Sequence, residues 1–94
     1  MTDIEIAKGT IDGHSVCFCK DGKSFTLDGM GLSPLMRMIN EGKDLHGYSA
    51  ADVVVGKAAA MLFKKLGVVS VHGKLMSETG ADFLEKSEIG RAHV

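Results

Sequence analysis

Asp52-Val-Val-Val-Gly-Lys-Ala-Ala-Ala60, set within residues 48–74, is the stretch whose reading decides the fold. It reads as a loop, a nearly all-apolar helix, a glycine stop and a buried strand. Asp52 has the short carboxylate of an N-cap, able to accept from the free N–H groups of a first turn. Val54, Val55, Ala58, Ala59, Met61, Leu62, Phe63 and Leu66 would wrap most of the circumference of a helix buried on more than one side. Gly67 is the expected left-handed stop, and Lys64 and Lys65 fall in the last turn, where the macrodipole favours cations.

Lys57 does not fit this pattern. It lies in or near the first turn, where the dipole disfavours positive charge, beside Gly56, which costs helix stability. Two readings compete. Lys57 and Lys64 are two turns apart and would share one narrow solvent stripe. Alternatively, Gly56 and Lys57 meet an anion at a helix N-terminus. A phosphate-binding P-loop is excluded, because it needs glycine five residues before the Gly-Lys pair and Ser or Thr after it. Ala51 and Ala58 hold those places.

Beyond this centre, residues 68–75 read as a strand suited to a covered sheet. Ser77 caps a last helix on which Ala81 and Leu84 share a face, and residues 89–94 begin another strand. Toward the N-terminus, Asp21-Gly22 marks a type I′ hairpin. Its register pairs Lys20 with Lys23, Phe18 with Phe25 and Val16 with Leu27, so Val16, Phe18, Phe25 and Leu27 line one face and Cys17, Cys19, Ser24 and Thr26 the other. The two cysteines lie at or beyond disulfide reach along one strand and read as buried structural thiols. Thr2 and Glu5 form the capping box of a short helix over residues 2–8. Ser33 caps another helix with Pro34 at its first position, and Gly42 ends it. His46 is a lone, solvated loop histidine. Helix, hairpin, two helices, strand, helix points to a mixed sheet of three or four strands with helices on both faces. The strand after the crossover should run parallel to the first hairpin strand.

With 94 residues, 45% of them hydrophobic, the chain is a single domain spanning 1–94 with a small core. A net charge of −1, no Trp and one Tyr leave neither the basic face nor the stacking platform that nucleic-acid binding needs. No signal peptide or membrane span is readable, which makes a cytoplasmic location the expectation.

Lys20-Asp-Gly-Lys23, Gly31-Leu-Ser-Pro-Leu35, Asp52-Val-Val-Val-Gly-Lys-Ala-Ala-Ala60 and Met76-Ser-Glu78 together resemble the bacterial family named domain of unknown function 1893. The resemblance covers nearly the whole chain and implies a three-layer α/β/α, cytidine-deaminase-like fold without an established activity. Val53 stands where many relatives have lysine, and relatives continue past residues 90–94, so 89–94 reads as a truncated strand or tail on a C-terminally short domain. Zinc deaminases carry His or Cys, then Glu two residues on, at one helix start and Pro-Cys-x-x-Cys at another. Here those places read Gly56-Lys57-Ala58-Ala59 and Met76-Ser77-Glu78-Thr79-Gly80, with every ligand gone. No metal, no cofactor and no zinc-dependent deamination are expected.

What such a fold leaves is geometry: two helix N-termini aimed at one crevice beyond the carboxyl ends of parallel strands. Asp52, Gly56, Lys57, Ser77 and Glu78 are the candidate ligand-binding residues, and the leading expectation is a small phosphorylated or nucleotide-like anion. One rival is an interaction module that forms homodimers, through an exposed sheet edge, with a vestigial crevice. Another is an enzyme using Lys57 as nucleophile or base.

Overall fold

The computed structural model describes residues 1–93, with side chains through residue 90. In chain order the elements are α1 (Asp3–Thr10), β1 (Val16–Lys20), β2 (Lys23–Leu27), α2 (Ser33–Asn40), β3 (Ser49–Val55), α3 (Lys57–Leu66), β4 (Ser70–Met76), α4 (Glu78–Lys86) and β5 (Gly90–His93). The strands form one five-stranded sheet in the order β2-β1-β3-β4-β5. β1 runs antiparallel to both β2 and β3, whereas β3, β4 and β5 are mutually parallel. Residue 94, the end of the expected 89–94 strand, lies outside the described residues.

The hairpin follows its sequence reading residue for residue: Val16 pairs with Leu27, Phe18 with Phe25 and Lys20 with Lys23. Asp21 and Gly22 take φ of 53° and 79°, the left-handed pair that a type I′ turn requires. Val16 and Phe18 pack into a core with Leu35 and Met38 of α2, Phe63 and Leu66 of α3 and Leu84 of α4. The opposite face buries Cys17, Cys19 and Ala51 beneath Ala7 and Ile11, so α1 covers one side of the sheet and the other three helices cover the second. Both cysteines are buried and free. The capping box of Thr2 and Glu5 is formed, and the helix it starts continues to Thr10. Asp3 then ties α1 to the hairpin: its carboxylate accepts from the Asp21 and Gly22 amides at 3.0 and 2.9 Å.

The central stretch departs from its reading. Residues 49–55 are a strand, and α3 begins only at Lys57, with Gly56 and not Asp52 at the N-cap. Three successive β-branched valines are stiff at χ1 and suit an extended chain better than a first helical turn. Ala50 and Ala51, both fully buried, let helices approach the sheet closely from its two faces. This added strand also reverses an orientation. β4 is parallel to β3, and β3 is antiparallel to β1, so β4 runs against the first hairpin strand and not with it. Nor is β4 the sheet's edge, because β5 pairs with it from Ser70 to Gly73. Smaller corrections follow. Leu32 is the N-cap of α2, with no side-chain cap bond and Pro34 one place later than expected, while Leu62 is only partly buried. Gly67 does close α3 with φ 92°. Among the described residues no helix is long and apolar enough to cross a membrane.

Candidate functional site

The two parallel strands β3 and β4 each lead directly into a helix, so α3 and α4 start side by side at the carboxyl end of the sheet. The Ser77 amide donates to the Val55 carbonyl at 3.0 Å and fastens one strand-to-helix corner to the other. Gly80, fully covered in the first turn of α4, completes the join. A Cβ there would lie 2.9 Å from the Val55 oxygen and 3.0 Å from the Gly56 carbonyl carbon. The absence of a side chain at Gly80 is what allows the two helix starts to abut.

Beside this corner lies a cleft of about 410 Å³ between the loop preceding α2, the end of β3 and the first turn of α3. Gly29, Gly31 and Leu32 form one wall, Val53 and Val54 another, and Gly56, Ala58 and Ala59 the third, with Ser15 and Asp52 adding polar atoms. The Ser15 hydroxyl is committed to shaping the loop, donating to the Gly29 carbonyl at 2.7 Å and accepting from the Gly29 amide at 3.0 Å. Among the described residues, Asp52 is the one ionisable residue on the walls. Burial pushes its carboxyl up to about 6, against the opposing pull of the Val53 and Val54 amides, the former at 2.7 Å. At the head of α3 no side chain caps the free N–H groups.

The expected site residues divide. Asp52 and Gly56 line the cleft, but Lys57 projects away from it into a shallower hollow of about 160 Å³ shared with Thr79, Asp82, Phe83 and Lys86 of α4. Lys64, farther along the same side of α3, has its Nζ 5.6 Å from the Phe83 ring centroid. Gly56 stands between cleft and hollow, and a Cβ on it would come to 3.9 Å from the Ser77 hydroxyl. Ser77 spends that hydroxyl on its own helix, accepting from the Gly80 amide at 2.9 Å. Glu78 is exposed and lines neither space. The walls contributed by Ser15, Gly29, Gly31, Leu32, Val53 and Val54 were absent from the sequence reading. The glycine-rich turn before Ser33-Pro34 was the available signal, since closely spaced glycines let backbone border a space without filling it.

The family model described as domain of unknown function (DUF1893) matches residues 8–93. The chain belongs to this family. A crystal structure of a DUF1893 family protein from Thermotoga maritima superposes with a TM-score of 0.84 at 22% identity, over 97% of this chain and 63% of that one. This member therefore spans less than two thirds of that relative's length. The apo crystal structure of a dCMP deaminase from the cyanophage S-TIM5 superposes with a TM-score of 0.64 at 13% identity, over 98% and 94% of the two chains. At those identities the two structures establish the fold: a mixed α/β sheet of the cytidine-deaminase type. No curated protein matches the chain.

Proposed function

We propose that this DUF1893 member is a cytoplasmic protein that binds a small phosphorylated or nucleotide-like ligand where the two helices begin, without zinc-dependent deamination. One observation carries the reading. At the carboxyl end of β3 an open cleft of about 410 Å³ is bordered by an uncapped helix start and a half-buried carboxylate. Its volume falls in the range of small-molecule sites, and its place in the sheet is where open α/β folds bind ligands. The ligand's ring would lie against Leu32, Val54 and Ala58. Its phosphate would reach over Gly56 toward the free N–H groups of α3 and the Lys57 ammonium, away from Asp52. The donor set argues against zinc: Glu78 is the one carboxylate at the two helix starts, and among the described residues no three His, Cys, Asp or Glu side chains come together.

Calorimetry against inorganic phosphate, nucleoside monophosphates and ADP-ribose tests this. Wild type is expected to bind at least one phosphorylated compound at millimolar concentration or below. Lys57→Met should weaken that binding several-fold while leaving unfolding unchanged or slightly later. Silence of the wild type toward all of them would end the proposal.

A second reading has its own support. Val53, Val54 and Leu75, at 40%, 56% and 64% exposure, leave apolar surface around the same corner. In that case the chain is a homo-oligomeric interaction module whose crevice is vestigial, and light scattering would show a concentration-dependent assembly without any ligand.

A further inference from the structure

The geometry points to a positively charged group, an ammonium or amidinium, as the part of the ligand that enters the cleft and is held by Asp52. This deepens the ligand-site reading above and rests on it. A carboxylate offers about four acceptor positions. The Val53 and Val54 amides take at most two of those on Asp52, which lines the cleft. Among the described residues no neighbouring charge compensates it. Its partners across the sheet are Val16 on β1 and Gly73 on β4, while α3 presents Ala58 and Ala59 and the opposite loop presents Gly29, Gly31 and Leu32. Lys74, next in line on β4, is committed to Asp12 at 2.6 Å, and His14 and Asp28, on the segments bordering the cleft, pair with each other at 3.1 Å. Ser15 spends its one hydroxyl donor on the Gly29 carbonyl.

A lone carboxylate against apolar walls is an incomplete ion pair. Charge-assisted, bidentate hydrogen bonding from an amidinium completes it with about twice the strength of a neutral donor. Low polarity around the pair strengthens the attraction further. The uncapped start of α3 is the complementary pole: it repels a cation and attracts an acceptor. A ligand that satisfies both poles is zwitterionic, its cation at Asp52 and its phosphate or other acceptor at Gly56 and Lys57.

Benzamidine and benzamide share a ring and differ in charge, so they probe the carboxylate directly. Titration of wild type should give benzamidine at least about tenfold tighter binding than benzamide. In Asp52→Asn, whose amide oxygen still accepts from Val53, the two should bind alike. Benzamidine affinity should also fall about tenfold between neutral pH and about pH 5, where roughly a tenth of a carboxyl titrating near 6 remains ionised. Equal affinity for the two compounds in wild type, no binding of either, or a flat pH profile would each overturn the inference. Binding of nucleoside monophosphates in the same protein would then leave the broader ligand reading standing. Benzamidine binding that depends on Asp52 without any nucleotide binding would keep the cation site and remove the phosphate.

Discussion

Asp52 has a thermodynamic consequence even without ligand. Its carboxyl is held near 6 in the folded chain, above its ordinary value, because burial disfavours the anion. The folded state therefore binds that proton more tightly than the unfolded state, and folding loses stability as pH rises from about 4 through about 6. Two pKa units correspond to about 3 kcal/mol as an upper bound, reduced here because Asp52 keeps some contact with water. Asp52→Asn is accordingly expected to raise stability by about 1–2 kcal/mol at pH 8 and by nothing measurable near pH 4. Urea unfolding at both pH values decides it; an equal shift at both would show that the effect is not ionisation. Gly80 gives the opposite sign. Alanine is the better helix former by about 1 kcal/mol, but its Cβ would press on the Val55 oxygen at 2.9 Å. We expect Gly80→Ala to cost about 1–3 kcal/mol, since backbone on both sides must shift. A stabilised variant would show that the two helix starts can separate freely.

At the scale of elements, α3 sends Ala59, Ala60, Phe63 and Leu66 into the core. Phe63 is fully buried and meets Phe18 edge-on, with ring centroids 6.1 Å apart, whereas Leu62 lies at the margin of the core. Phe63→Ala should cost about 3–5 kcal/mol and Leu62→Ala less than about 2. Chemical denaturation of the pair would expose a wrong assignment of the buried face if the order reversed. Much of the architecture was legible because local chemistry and tertiary packing agree: Asp21-Gly22 demands a hairpin, Gly67 a helix stop, and Ser77 a cap. β3 was not legible, because its signals conflict. Ala50 and Ala51 have no strand preference, and Asp52 before an apolar run looks like a cap. Only the sheet, which needs a strand between β1 and β4, decides the matter. The site inherited that error. Placing Asp52 and Lys57 on one helix turn merged two groups that the structure separates, one in the cleft and one in the hollow beside α4.

At the scale of the molecule, the sheet is covered on both faces but unevenly along one side. Among the described residues β5 pairs with β4 only from Ser70↔Gly90 to Gly73↔His93, while β4 continues to Met76 alongside β3. Residues 74–76 thus border β3 on one side and lack a described strand partner on the other. Leu75 is 64% exposed within this segment, and its neighbour in register, Val54, is 56% exposed. Free backbone donors and acceptors beside apolar side chains favour pairing with another chain. A second copy meets that need, since the same segment on each copy can pair with itself about a two-fold axis. We therefore expect a concentration-dependent homodimer by light scattering. Leu75→Lys should weaken it without lowering monomer stability, because a charge there opposes association and removes no buried contact. Amide exchange adds a local readout: amides within residues 70–73 should exchange slowly at every concentration, and those of residues 74–76 only when the dimer forms. A wild type that stays monomeric at millimolar concentration, with residues 74–76 already protected, would show that this part of β4 is covered within the single chain.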